Sequence, residues 1–150
     1  NLFTMKTKFK ETKSKKCCGK CPFKKGLPAT SETLGHSHPF VYIGQTRGPF
    51  WLPCHADKNY SGKGSSVETV TQCRGAAIFR ANCETPYKLP EQLLSLEKDE
   101  ESVFANEAEF IAHYTNINKE KASALTSVPG FLDSLMEEEF KKKSETKRYL

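Results

Sequence analysis

The sequence lacks long apolar segments and the common catalytic motifs. None of its 150 residues belongs to an apolar run approaching the roughly 18 residues that a membrane-spanning helix needs, so we expect no insertion into a membrane. A phosphate-binding loop, a glycine-rich dinucleotide-binding pattern and an HExxH zinc-protease pattern are all missing. The chain also shows no secretory signal and no internal repeat. We therefore expect a cytoplasmic protein, and we lean against an enzyme.

Cysteine is the residue type that the chain does contain in an informative arrangement. Cys18 and Cys21 form a CxxC pair in CCGKCPF, Cys54 follows in LPCHADK, and Cys73 stands in TQCRGAAIF. Two thiolates separated by two residues can grip one ion from a single turn, and two distant ligands can then close the site. Because thiols stay reduced in the cytoplasm, we favour a metal site over disulfides. These four cysteines are the predicted ligands.

The sequence leaves open which group the thiolates hold and which neighbours assist. Soft sulfur ligands suit both zinc and iron-sulfur clusters, and we favour structural zinc, with a [4Fe-4S] cluster in a redox or sensing protein as the alternative. Cys54 and His55 are adjacent, so on an extended segment their side chains point in opposite directions. We therefore favour Cys54 as the ligand, although a turn would allow His55 instead. Cys17 could replace Cys18, whereas Cys83 is expected to be an ordinary thiol.

Positive charge is concentrated near the N-terminus. Residues 6 to 25 contain nine lysines and one acidic residue, whereas the whole chain has a net charge of +5. One interpretation is a solvated, flexible arm, and the other is attraction to the phosphates of nucleic acid, which would give affinity with little sequence readout. The lysines predicted to contact nucleic acid are Lys13, Lys15, Lys16, Lys20, Lys24 and Lys25.

The pattern of apolar residues predicts an α+β fold. The segments FVYIG (40–44) and PFWLP (49–53) are typical of two strands of a short β-hairpin, and VETVTQ (67–72) of a third strand. Beyond Cys73 the sequence is helical in character, with predicted helices in GAAIFRAN, LPEQLLSL and NEAEFIAHY, where Asn106 and Glu109 form a capping pair. We thus expect a small metal-centred domain with a short β-hairpin and a helical C-terminal half.

Three segments follow from this interpretation. Residues 1–16 are predicted to be a flexible basic arm, 17–127 the metal-binding α+β domain, and 128–150 an amphipathic C-terminal helix and tail. The final helix is expected from about Gly130 to Lys142 and carries an apolar stripe. That stripe either packs on the same domain or docks on a host protein or a second copy, with residues 118–130 as a partly flexible tether.

The cysteine arrangement resembles a pattern found in small, largely uncharacterised phage and bacterial proteins, CxxCPFR…CHK…CAG. The resemblance runs from Cys18 to about Asn82, with Lys24 in place of the arginine and Arg74 in place of the usual alanine. It implies the same four-cysteine site and no particular activity. Taking the basic N-terminus and the C-terminal stripe into account, we expect a phage or bacterial accessory protein, in the host cytoplasm if phage-encoded, that binds nucleic acid or a host protein.

A second resemblance would imply an enzyme. The segment VYIGQT (41–46) looks like the second half of the GIY-YIG nuclease motif, in which paired tyrosines take part in DNA cleavage. The upstream GIY half is missing, since the preceding residues read GLPATSETLGHSHPF. A metal-dependent nuclease is therefore kept only as a second alternative.

Overall fold

The computed structural model describes residues 16–48, 50–62, 65–84 and 96–134. Within these ranges the secondary structure is helical: α1 spans Pro39–Arg47, α2 Arg74–Cys83, α3 Glu107–Tyr114 and α4 Lys119–Thr126. The backbone is helical again over 131–134. The described part of the chain has no strand, and its sheet-type pairing consists of two isolated bridges, between Lys24 and Val103 and between Pro53 and Gln72. The predicted α+β class is therefore wrong.

The predicted β-hairpin fails because its first half is helix α1. Pro39 occupies the first turn, where proline is tolerated, and the ring Nδ1 of His38 accepts a hydrogen bond from the Phe40 backbone N–H at 3.1 Å. Phe40, Ile43 and Thr46 are all buried, with the three-residue spacing of one helix face. Packing of this face outweighs the strand preference of aromatic and β-branched residues. Residues 50–53 form no strand beyond the isolated bridge at Pro53, and the predicted third strand at 67–72 consists of turns and the bridge at Gln72.

The core is built around one aromatic side chain that follows the CxxC pair. Phe23 is fully buried, and its ring centroid lies 5.1 Å from that of Phe79 in α2 and 5.2 Å from that of Phe110 in α3. The ring of Tyr42 in α1 meets it edge-on at 5.6 Å. One residue thus joins three helices, and this packing fixes the turn that carries the first cysteines.

Helix α2 is joined to the end of α1 by a buried arginine. Arg80 Nε donates to the Thr46 carbonyl at 3.2 Å, and Nη2 donates to the carbonyls of Gln45, Gly48 and Phe50 at 2.8–2.9 Å. These are carbonyls at or just beyond the C-terminus of α1, where the backbone carries partial negative charge, and that of Gln45 also accepts from the Gly48 N–H. Arg80 therefore helps to cap α1 from outside and holds Gly48 and Phe50 in place.

The predicted helices of the second half are confirmed where the structure describes them. GAAIFRAN lies in α2, and NEAEFIAHY in α3, where Asn106 Oδ1 accepts from the Glu109 N–H at 2.9 Å. The Glu109 carboxylate accepts from the backbone N–H of Ala105, one residue away from the capping-box position. The predicted helix LPEQLLSL lies outside the described residues apart from Leu96. No helix in the described ranges is long and apolar enough to cross a membrane.

The segment expected to be a tether is mostly a helix. Lys119–Thr126 form α4, which follows its N-cap Asn118, and whether this segment acts as a tether stays a prediction. After α4, Phe131 is only 2% exposed, and the Arg47 guanidinium stacks over its ring at 4.1 Å from the centroid. The start of the C-terminal helix therefore packs on this domain, while its predicted course beyond 134 lies outside the described residues.

Candidate functional site

The first cysteines lie on a tight turn that leads into the core. The Cys21 N–H donates to the Cys18 carbonyl at 3.4 Å, and the Lys24 N–H donates to the Cys21 carbonyl at 3.0 Å. These bonds fold residues 18–24 back on themselves, while the buried Phe23 anchors the turn. The Cys21 side chain is consequently buried, whereas those of Cys17 and Cys18 are half-buried.

Two backbone hydrogen bonds bring the other two predicted ligands together. The Cys54 N–H donates to the Thr71 carbonyl at 2.8 Å, and the Cys73 N–H donates to the Leu52 carbonyl at 2.7 Å. Cys73 is also the N-cap of α2, and its Sγ accepts from the Ala76 N–H at 3.4 Å. This places the Cys73 sulfur at the positive end of a helix, which favours its ionised form.

The four predicted ligands meet in one cluster. The Sγ atoms of Cys21 and Cys73 are 3.3 Å apart, although the residues are 52 positions apart in sequence. The thiols of Cys21 and Cys54 are close enough to that of Cys18 to be the two largest influences on its pKa. Cys21, Cys54 and Cys73 are buried. The structure thus places Cys18, Cys21, Cys54 and Cys73 side by side.

Neighbouring thiols shift one another's pKa values. Interaction with other thiols, foremost that of Cys21, lowers the pKa of Cys18 and of Cys73. Interaction with Cys17 is the largest cause of the raised pKa of Cys21, and interaction with Cys18 is the largest cause of the raised pKa of Cys54. A cluster of this kind concentrates thiolate character and excludes most water, which are conditions under which a soft cation can replace protons.

Cys17 and Gly75 also lie against the thiol cluster. From the sequence, Cys17 was expected only as a replacement for Cys18, and Gly75 was not expected at the site. A Cβ atom at Gly75 would lie 2.1 Å from the Cys21 Sγ and 3.0 Å from the Cys17 Sγ. Cys17 therefore lies against the cluster, and only glycine allows α2 to approach the sulfurs this closely. In the sequence, the glycine two residues after Cys73 is the one indication of this close approach. It could not be interpreted without knowing where α2 packs.

The other candidate residues lie away from the thiols. His55 faces Tyr42 and Tyr60: its Nε2 is 3.5 Å from the Tyr42 hydroxyl, and its ring centroid is 4.8 Å from that of Tyr60. The adjacent Cys54, and not His55, contacts the cluster. Cys83 stands at the last position of α2, a helix of ten residues that begins directly after Cys73, so the two residues lie about 15 Å apart along the axis.

The segment resembling half of a nuclease motif is helical. Residues 41–46 lie within α1, so Tyr42 is not on a strand. Its hydroxyl is buried and donates to the Leu34 carbonyl at 2.6 Å. Tyr42 thus supports the core, and the arrangement gives no support to the nuclease alternative.

The lysines predicted to contact nucleic acid differ in their surroundings. Lys20 is exposed on the cysteine turn, and the Lys16 carbonyl accepts from Arg74 Nε at 3.0 Å. The ammonium group of Lys25 donates to the Glu100 carbonyl and lies 3.7 Å from the Glu109 carboxylate. Lys24 is half-buried, and its backbone pairs with Val103. Lys13 and Lys15 lie outside the described residues.

The cluster does not have the geometry of a loaded metal site. Across the described ranges, no three or more His, Cys, Asp or Glu side chains are arranged so that they could hold an ion as they stand. Two thiolates bound to one tetrahedral zinc at about 2.3 Å lie about 3.8 Å apart, whereas the sulfurs of Cys21 and Cys73 are 3.3 Å apart. Binding one ion therefore requires these two sulfurs to separate by roughly half an ångström and the other thiols to rearrange around it.

Comparison with known proteins adds no relative. No protein-family model, curated protein or solved structure matches this chain.

Proposed function

We propose that this chain is a metal-binding protein in which Cys18, Cys21, Cys54 and Cys73 hold one structural zinc ion. The observation that carries the proposal is the convergence of thiols from three separate segments on one buried position, with Cys21 and Cys73 in sulfur contact. Four soft ligands leave no open coordination position for a substrate. A closed site of this kind stabilises a fold and supplies no catalytic water.

Sulfur spacing favours zinc over an iron-sulfur cluster. The cysteines of a four-iron cluster each bind a different iron, so their sulfurs must lie farther apart than ligands that share one ion. The 3.3 Å contact between Cys21 and Cys73 is close to the separation of two zinc ligands. A small separation of these two sulfurs therefore gives the spacing of zinc ligands. An iron-sulfur cluster instead requires the segments that carry the cysteines to move much further apart.

The ion would add a cross-link between three segments that have no regular secondary structure. The turn at 17–24 and the loops at 52–54 and 71–73 contain no helix, and one isolated bridge joins the two loops. Zinc with four thiolates keeps two excess negative charges, which need nearby positive groups. The N-terminus of α2 and Arg74 provide positive charge at this place. The Arg74 charge helps to lower the pKa of Cys18, although hydrogen bonds from thiols and backbone have larger effects.

The accessory role we propose for the zinc domain is to present basic residues to nucleic acid. Lys20 is exposed on the same turn as the zinc ligands, so the ion would fix its position relative to the core. Lys25 is already engaged with Glu100 and Glu109, so it supports the fold more than a ligand. A host protein as the partner is the competing possibility, and salt-dependent binding to nucleic acid distinguishes the two.

Metal analysis and a visible spectrum of anaerobically purified protein test the site. We expect a colourless protein with one zinc per chain. Serine substitution of each of the four ligands should lower zinc content and thermal stability, whereas Cys83→Ser should retain full zinc. Visible absorption with bound iron, or full zinc occupancy in Cys73→Ser, would overturn the proposal.

A further inference from the structure

A second concave site lies directly beside the thiol cluster. It is a half-open cavity of about 330 Å³, within the size range of small-molecule sites. Tyr42, Trp51, His55 and Tyr60 contribute aromatic rings to its lining, and we call it the aromatic cavity. Pro22, Phe23 and Cys73 also line it, so it shares a wall with the cysteine turn and the start of α2.

The walls of the aromatic cavity are fixed by contacts made elsewhere in the fold. The His55 ring lies against Gly35, where an added Cβ would be only 2.9 Å from its Cε1 atom. On its other side His55 packs on Tyr60 at 4.8 Å between ring centroids. The Tyr42 hydroxyl is tied to the Leu34 carbonyl, and its ring packs edge-on against Phe23. Rings held in this way form a site before any ligand arrives.

The lining that the structure describes favours a flat and uncharged ligand. Among the described residues, no Asp, Glu, Lys or Arg lines the cavity, so these walls offer a charged group no oppositely charged side chain in exchange for its lost water. Aromatic faces favour stacking with another flat ring. The remaining polar groups include two hydroxyls and one amide, which can pair with donors and acceptors on a ring edge: Ser37, Ser65 and Gln45.

Two lysines are close in sequence to residues that line the cavity. Lys24 directly follows the lining residue Phe23, and the exposed Lys20 precedes Pro22 by two positions. These lysines are the candidates to pair with a phosphate that a bound ring carries outside the cavity.

We propose that the aromatic cavity binds one unpaired nucleobase, presented by a free nucleoside or nucleotide or by a single-stranded nucleic acid. This deepens the nucleic-acid partner proposed above, and it does not depend on which metal the thiols hold. Base stacking on aromatic side chains beside a basic groove is a common way to bind single strands without sequence preference.

The test uses the full chain and its own reporter. Trp51 is the only tryptophan, so its fluorescence can be followed while adenosine or cytidine is added. We expect saturable quenching, with calorimetry as a second measurement. Tyr60→Ala should weaken binding by about fivefold to a hundredfold, as expected for the loss of one stacking partner. Phe50→Ala is the matched control, since this exposed ring adjoins Trp51 in sequence but does not line the cavity.

A short single-stranded oligonucleotide identifies the source of the base. Tighter binding than that of the nucleoside, with a gain that falls as salt rises, identifies a strand, and equal binding identifies a free nucleoside. The absence of saturable binding in both fluorescence and calorimetry would overturn the inference, as would Tyr60→Ala binding as tightly as the unaltered protein. Zinc content is measured on the same samples, so a failure of the metal proposal is seen separately.

Discussion

Replacing Gly75 by alanine is the sharpest test of the thiol cluster. Gly75 is the second residue of α2, and its φ lies outside the left-handed region, so the backbone itself accepts alanine. On helix propensity alone, Gly75→Ala should stabilise the protein by about 1 kcal/mol. Any loss of stability must therefore come from the added methyl group.

The structure indicates that this methyl group cannot be accommodated. It would lie 2.1 Å from the Cys21 Sγ, 3.0 Å from the Cys17 Sγ and 3.2 Å from the Phe23 Cβ. Non-bonded heavy atoms are normally about 3.5–4 Å apart, so the Cys21 sulfur must move by more than about 1 Å or α2 must shift. Either movement separates Cys21 from Cys73. Overpacking of a core costs about 1–3 kcal/mol, and the tightness of this contact places the substitution at or above the upper end.

After the gain in propensity, we expect a net loss of about 2 kcal/mol or more in the free energy of unfolding. For a chain of this size that lowers the Tm by at least roughly 4–8 °C. Zinc content should fall well below one ion per chain. Differential scanning calorimetry and metal analysis of the purified variant measure both.

Gly19→Ala is the matched control, because Gly19 lies in the same cysteine turn and an added Cβ would meet nothing within 4 Å. We expect that variant to keep the Tm and the zinc content of the unaltered protein. If Gly75→Ala also kept both, α2 would not approach the sulfurs as described, and the argument for a shared site would fail.

Local sequence was sufficient for the helices that carry their own start signals. Asn106 and Glu109 predicted the beginning of α3 because capping depends on residues within one turn. The proximity of the four cysteines also follows from the sequence, since CxxC and two isolated thiols suggested a common site. Whether an ion binds there is still a prediction.

The hairpin could not be predicted correctly, because composition and tertiary packing disagree in α1. Its aromatic and β-branched residues favour a strand, yet Phe40 and Ile43 are buried on one helical face and His38 supplies the cap. Local sequence offered Cys17 only as a replacement for Cys18, and its position beside the other thiols and that of Gly75 could not be predicted. They depend on the approach of α2 to the cysteine turn, which no local pattern encodes.

Three further predictions concern residues outside the cluster. Burial raises the pKa of Cys83 to about 12, so this thiol should resist alkylation at pH 8 until the protein unfolds. Mass spectrometry can follow the alkylation, and fast modification of the folded protein would contradict the placement of Cys83. Because the unfolded thiol ionises near pH 8.5 and the folded one does not, Cys83→Ala should reduce the loss of stability above about that pH. Phe131→Ala should lower the free energy of unfolding, measured by urea denaturation, by about 3–5 kcal/mol. Val128→Ala is the control and should change it little, because Val128 is 51% exposed. Equal effects would show that the C-terminal segment does not pack on this domain. Arg80→Met keeps the length of the side chain but removes the Arg80 donors to the four carbonyls at the end of α1, one of which, that of Gln45, also accepts from the Gly48 N–H. Arg80→Lys restores the charge without the planar fork. Each buried carbonyl left without a partner costs about 1–3 kcal/mol, so both variants should be strongly destabilised and lose helical circular dichroism on mild heating. If Arg80→Lys were as stable as the unaltered protein, charge alone would suffice, and the capping of α1 by directed hydrogen bonds would be refuted.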